Sequence, residues 1–175
     1  QIALSYNYVA DDNEKVKCGN VKTSVEHLLN GIKIDHYLSL TMDSVAVMND
    51  LVGGVEVTVL DDFSSVDNTL VKDEKVILNG EQALRYVRAR QSLENSDNIS
   101  RMARQRQYID ALYEKAVSCI SADEGFSVKL AEAMDEYVIY DSSDQKMQQY
   151  AEKLKNYEFV GIKAIEGESK KGEEF

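Results

Sequence analysis

The first third of the chain alternates between helix signals and strand signals. Thr23 with Glu26 three residues later forms a capping-box pattern, and Asn30-Gly31 is typical of a helix end. Residues 37–42 and 55–59 alternate between apolar and polar side chains, which predicts strands. A short helix beginning at Asp43 separates them, so the run predicts a βαβ unit.

The remainder of the chain is predicted to be mainly helical. Apolar residues favour a strand at residues 76–78, helices at 79–87, 99–119, 126–136 and 143–155, and a strand at 159–165. In the longest helix the apolar positions are Met102, Ile109, Leu112, Ala116 and Val117, which predict its buried stripe. We expect an α/β fold: a central mixed β-sheet covered by helices on both faces. Residues 1–165 would form one domain, and residues 166–175 a disordered tail.

Composition narrows the classes of partner. The chain has 175 residues and a net charge of −11, which argues against nucleic acid and against attachment to anionic lipid by charge alone. No apolar run is long enough to span a membrane. Cys18 and Cys119 are compatible either with one disulfide or with two unrelated buried thiols. His27 and His36 each stand alone in the sequence, which favours structural roles for both.

All six arginines lie between residues 85 and 106, where the only acids are Glu94 and Asp97. Arg101, Arg104 and Gln105 share one helix face because they are three or four positions apart. Arginine in the first turn opposes the helix dipole unless an anion lies there, and guanidinium groups bind phosphate bidentately. The cluster therefore predicts a phosphate site. Solvated arginines, or pairs with nearby acids, are the alternative.

The acidic residues near the cluster allow several interpretations. Asp97 can bind a divalent cation, act as a base, orient an arginine or simply cap the helix that follows. Asp62 and Asp67 can lie nearby, although Asp-rich loops are most often turns.

Three segments resemble the LytR-CpsA-Psr family, and the likeness covers roughly residues 1–120. They are GIKIDHY at 31–37, DLVGGVEV at 50–57 and LNGEQALRYVRAR at 78–90, followed by Asp97, Arg101, Arg104 and Gln105. The resemblance implies an α/β domain outside the bacterial membrane, usually tethered by an N-terminal helix. It implies a phosphotransferase that moves a glycopolymer, such as teichoic acid or capsule, from a polyprenyl-pyrophosphate lipid to peptidoglycan.

The resemblance also assigns roles to residues of the cluster. It implies that Arg88, Arg90, Asp97 and Arg101 serve catalysis, and that the arginines, together with Arg104 and Gln105, contact the pyrophosphate. Mg²⁺ is the implied cofactor, with ligands in a family segment that should precede Gln1. The chain is then either a fragment of a longer protein or a natural variant.

Two other classes of function stay open. A non-catalytic module would hold an anionic lipid or wall polymer without reacting. Transcriptional regulation, which the family's older attenuator label suggests, is disfavoured by the acidic composition.

Overall fold

The computed structural model describes residues 2–8, 12–90, 93, 97–143, 145–146, 149–150, 153 and 157–163. In chain order, its elements are α1 (Ile2–Ser5), α2 (Glu14–Leu28), β1 (Leu38–Leu40), α3 (Ser44–Leu51), β2 (Val55–Thr58), β3 (Lys75–Leu78), α4 (Gly80–Arg88), α5 (Asn98–Ala122), α6 (Phe126–Met134), a 3₁₀ turn (Asp135–Tyr137) and β4 (Val138–Tyr140).

The α/β class is confirmed, and the strand pairing differs from the expected central mixed sheet. Within the described ranges the strands form two antiparallel pairs, β1 with β4 and β2 with β3. The predicted βαβ unit is therefore wrong, because β1 and β2 lie in different sheets. Each of them pairs with a strand that comes later in the chain, and the local order of the elements does not predict such pairing.

The β2–β3 hairpin packs against α4 and α5 because its apolar residues alternate. Val55 and Val57 are buried, as is Leu78 at the end of β3. Gly54 begins the hairpin at φ +89, and a Cβ there would lie 2.6 Å from Ile77 Cγ2. A glycine is therefore required at this position for both conformation and space.

Helix α4 begins with two reciprocal hydrogen bonds. The Asn79 side chain accepts from the backbone N–H of Gln82, and the Gln82 side chain accepts from the backbone N–H of Asn79. Asp50 of α3 accepts a further bond from Gly80 N at 2.7 Å. These bonds satisfy N–H groups that a helix start leaves unpaired, and they fix α4 against α3.

The buried face of α5 matches the predicted stripe only in part. Leu112 and Ala116 pack partly against the core as predicted, as does Cys119, while the fully buried residues of α5 are Arg104 and Tyr108. By contrast, Met102, Ile109 and Val117 are more than two-fifths exposed. The apolar pattern was misleading because an arginine and a tyrosine occupy positions that usually hold aliphatic residues.

The C-terminal predictions are partly outside the described residues. The predicted helix at 126–136 ends at Met134, and the strand β4 that follows it was not predicted. Residues 159–163 lie in no strand, so that prediction is wrong for them. Most of the predicted helix at 143–155, and the predicted tail at 166–175, lie outside the described residues.

Cys18 and Cys119 are free thiols, so the structure favours the two-thiol interpretation over a disulfide. Cys18 is buried in α2, whereas Cys119 lies in α5 with its Sγ 3.7 Å from Val52 O. None of the helices in the described ranges is both long enough and apolar enough to cross a membrane.

Candidate functional site

The predicted arginine cluster lies where α4 ends beside the start of α5. We call the segments 86–90 and 97–105 together the arginine junction. Side chains of α5 hold the carboxyl end of α4: Arg104 Nε donates to Tyr86 O at 2.8 Å, and Gln105 Nε2 donates to Val87 O at 3.0 Å. The free carbonyls of a helix end therefore find donors on the neighbouring helix.

Asp97 caps α5, as one of its alternative interpretations predicts. One carboxylate oxygen accepts from Ser100 N at 2.7 Å and the other accepts from Ser100 Oγ at 3.0 Å. These hydrogen bonds hold the pKa of Asp97 below its usual value. The geometry gives this side chain a structural role, and its catalytic role stays a prediction.

Arg104 lies in the core, with no exposed surface. Its guanidinium donates to the Asp61 carboxylate and to Ala89 O in addition to Tyr86 O, and it lies over the Phe63 ring at 5.5 Å. The guanidinium nitrogens of Arg104 are thus all bonded within the protein, and its contact with the pyrophosphate stays a prediction. The pattern of arginines alone does not distinguish a buried one from an exposed one.

Arg101 has an unused donor at the junction. Its Nη2 donates to Asn98 Oδ1 at 2.6 Å, while its Nε is buried and finds no acceptor within the part of the chain that the structure describes. A buried donor without an acceptor is costly, so a ligand oxygen at this position would relieve the cost. Arg101 lies one helical turn before Arg104 and Gln105, whose side chains donate to the end of α4.

Arg88 and Arg90 flank the residue whose carbonyl Arg104 binds. Both side chains are exposed, and the side chain of Arg88 forms no hydrogen bond or ion pair with any other described residue. Both residues belong to the segment that Arg104 and Gln105 hold against α5. The end of α4 and the start of α5 therefore carry Arg88, Arg90, Arg101 and Gln105.

The other two arginines serve differently. Arg85 is paired with Asp67 at 2.9 Å and with Glu81 at 3.1 Å, as the alternative of local ion pairs predicts. Arg106 is half-buried on another face of α5, five positions after Arg101. Neither residue was a predicted ligand contact.

The acidic loop after β2 contains the residue that sequence reasoning missed. Asp62 accepts from Ser64 N at 2.8 Å, and Asp67 accepts from Thr69 N at 3.1 Å, so both side chains form turns. Hydrogen bonds lower the pKa of each below its usual value. Asp61, in contrast, is only 6% exposed and pairs with Arg104. Asp61 continues the alternation of buried positions from β2, two residues after Val59 and two before Phe63, and that spacing was the available signal.

The described residues include no ready-made group of magnesium ligands. Across the described ranges, no group of three or more His, Cys, Asp or Glu side chains is arranged to hold a metal ion. Asp61 is occupied by Arg104 and Asp97 by Ser100. Magnesium therefore stays a prediction from family resemblance.

Comparisons with known proteins agree with the resemblance. The model of the LytR_cpsA_psr family matches residues 17–174. An Enterococcus faecalis protein, polyisoprenyl-teichoic acid–peptidoglycan teichoic acid transferase TagU, is 39% identical over 95 residues, covering 54% of this chain and 30% of that protein. The cell wall biosynthesis protein LcpA of Corynebacterium glutamicum is 29% identical over 157 residues, covering 83% of this chain and 29% of that protein.

The fold has solved relatives as well. The crystal structure of Bacillus subtilis TagV matches with a TM-score of 0.60 at 26% sequence identity, covering 87% of this chain and 55% of that one. The chain therefore spans 30% and 29% of the length of the two curated relatives and about half of this solved structure.

Proposed function

Because the chain belongs to the LytR_cpsA_psr family, we propose that it forms part of a phosphotransferase that attaches a glycopolymer to peptidoglycan. The donor would be a glycan, such as teichoic acid or a capsule polymer, on a polyprenyl-pyrophosphate lipid. The names of its relatives, a teichoic acid transferase and a cell wall biosynthesis protein, support this class of activity. The site of action would be the bacterial cell envelope, outside the cytoplasm, in a protein tethered to the membrane.

The observation that carries the proposal is the buried Nε of Arg101, which has no hydrogen-bond acceptor among the described residues. It lies buried at a junction that also presents the exposed side chains of Arg88 and Arg90. Several arginine side chains repel one another when they lie close together. An anion between them offsets this electrostatic repulsion through charge-assisted hydrogen bonds. A diphosphate supplies oxygens for several guanidinium forks at once.

In the proposed reaction, a hydroxyl group of the peptidoglycan glycan attacks the phosphorus that carries the glycopolymer. A new P–O bond forms to the acceptor, and the bond between that phosphorus and the bridging oxygen breaks to release polyprenyl phosphate. The hydroxyl proton passes to the released phosphate or to water. Negative charge develops on the leaving phosphate. Arg88, Arg90 and Arg101 would bind the diphosphate and stabilise that charge, while the amide group of Gln105 would contact a phosphate oxygen.

The resemblance to the family implies Mg²⁺ as a cofactor. A bound ion would neutralise charge on the phosphate oxygens. The residues of the junction contribute binding and orientation, which account for much of the catalysis of phosphoryl transfer.

Binding of geranylgeranyl pyrophosphate, measured by isothermal titration calorimetry, tests the anion site. We expect Arg101→Ala to weaken binding by about 10- to 100-fold, since one charge-assisted hydrogen bond contributes about 1.5–3 kcal/mol. Arg106→Ala is the matched control, because it removes the same side chain from another face of α5, and its affinity should stay within about twofold. Equal losses in the two variants would contradict the proposed site.

A second candidate is a non-catalytic module that holds a pyrophosphate lipid or an anionic wall polymer. It is favoured by Asp97, whose two oxygens are used to cap α5 and thus serve the fold. Incubation with a lipid-pyrophosphate-linked glycan, peptidoglycan and Mg²⁺ separates the candidates. Glycan attached to peptidoglycan supports the transferase, whereas binding without product supports the module.

A further inference from the structure

We infer that Asp61 is a positioning residue of the arginine junction, acting through Arg104; this inference rests on the anion-binding function proposed above. Asp61 belongs to the loop after β2, far in sequence from every arginine of the junction. Its carboxylate pairs with Arg104, and the exposures of the two side chains are 8% and 0%.

Arg104 transmits the position of Asp61 to the end of α4. Its three nitrogens donate to Asp61, Tyr86 O and Ala89 O, so one planar group joins the loop to two carbonyls of the α4 end. Arg88 and Arg90 lie on either side of Ala89. Whatever fixes the plane of this guanidinium therefore fixes the backbone from which both arginines extend.

The loop that carries Asp61 is itself held by the core. Phe63 is fully buried, lies beneath the guanidinium and stacks on Tyr86 with ring centroids 5.5 Å apart. Leu60 N donates to Tyr86 Oη at 3.3 Å. Leu60 before Asp61 and Phe63 after it are both held by Tyr86. The Asp61 carboxylate is therefore a fixed acceptor for Arg104.

Asp61 is required because a buried guanidinium needs a full negative charge beside it. A neutral amide at this position retains an acceptor and loses the charge, so Arg104 would turn toward water and release the α4 carbonyls. The segment with Arg88 and Arg90 would then shift. A misplacement of about 1 Å among groups that bind a reacting substrate reduces rates by roughly 100-fold.

The experiment compares Asp61→Asn with Asp61→Glu in the full chain. The probe is geranylgeranyl pyrophosphate, titrated at a temperature at which circular dichroism shows every variant folded. We expect Asp61→Asn to weaken binding at least tenfold and Asp61→Glu, which keeps the charge, to stay within about threefold of the parent. Parental affinity in Asp61→Asn would overturn the inference.

A matched control separates positioning from stability. Leu78→Ala removes a fully buried side chain from β3, outside the junction. It should lower the melting temperature and leave the dissociation constant within about twofold. If its affinity falls as much as that of Asp61→Asn, binding follows stability alone and the inference is wrong.

Arg104→Lys decides the question if Asp61→Asn does not fold. A lysine keeps the charge beside Asp61 but cannot donate to both α4 carbonyls in one plane, so we expect affinity to fall at least tenfold. Unchanged affinity in that variant would reject the inference.

Amide hydrogen exchange distinguishes this inference from the proposed function. Ala89 N donates to Arg85 O at 2.8 Å. We expect the Ala89 amide to exchange at least tenfold faster in Asp61→Asn than in the parent. If Asp61→Asn does not fold, the same increase is expected in Arg104→Lys. Exchange in the β2–β3 hairpin should not change. If the parent does not bind the probe, the proposed function fails, and exchange at Ala89 alone decides whether Asp61 positions this segment.

Discussion

Removal of the Tyr86 hydroxyl tests how α4 is held against the hairpin and α5. Tyr86 is fully buried, and its hydroxyl donates to Gln107 Oε1 at 2.5 Å and accepts from Leu60 N at 3.3 Å. Tyr86→Phe keeps the ring that stacks on Phe63, so the variant isolates the contribution of the hydroxyl group. It leaves the Leu60 N–H without that acceptor in a partly buried position.

The expected cost follows from these bonds. A lost buried partner costs about 1–3 kcal/mol, so we take about 2 kcal/mol for Tyr86→Phe. For a chain of this size, each 1 kcal/mol lowers the melting temperature by roughly 2–4 °C, which gives a fall of about 4–8 °C. The Tyr86 hydroxyl also lies 3.3 Å from Thr58 O. Loss of this contact does not add to the cost, because Gln107 Nε2 donates to Thr58 O at 2.9 Å.

Urea denaturation followed by circular dichroism measures the effect. The midpoint should fall while the dependence of the free energy on urea stays the same, because the surface exposed on unfolding is unchanged. Tyr113→Phe is the control, since Tyr113 is 41% exposed on α5. Should both variants lose less than about 0.5 kcal/mol, the hydroxyl contributes nothing measurable and the reasoning fails.

Two further predictions concern the hairpin and alkaline pH. Gly54→Ala should destabilise the fold by about 1–3 kcal/mol in the same urea assay, because φ is +89 and the new Cβ would clash with Ile77. An unchanged free energy of unfolding would show that the start of the hairpin can rearrange. Burial raises the pKa of Tyr86 to about 12, which means that the folded state favours the protonated hydroxyl. The protonated hydroxyl therefore contributes fully to the stability of the fold below pH 10, and this contribution is lost as the pH rises toward 12. Melting temperatures of the parent should therefore fall over that range, and Tyr86→Phe should show a smaller fall.

The sequence predicts the local elements better than their pairing. The predicted helix at 79–87 is present as α4 (Gly80–Arg88). The capping-box pattern of Thr23 and Glu26, in contrast, lies inside α2, which begins at Glu14 after the cap residue Asn13. Strand pairing depends on contacts between distant segments, as when Leu38 meets Tyr140 across more than half the chain. The alternation of apolar and polar residues within one strand does not indicate which distant strand pairs with it.

The candidate site shows a similar division. The clustering of arginines was sufficient to locate the junction, because only residue type and spacing were needed. It did not show that Arg104 points inward, since a buried arginine requires a carboxylate that can come from anywhere in the chain. That carboxylate belongs to Asp61, 43 residues earlier.

The two cysteines have a practical consequence. Because Cys18 and Cys119 are separate thiols, the described fold depends on non-covalent contacts and not on an oxidising environment. A reducing agent therefore leaves the native state intact during purification and storage. Of the two sulfur atoms, that of Cys119 is in the less enclosed residue and is the one to protect from air oxidation and from cross-linking between molecules.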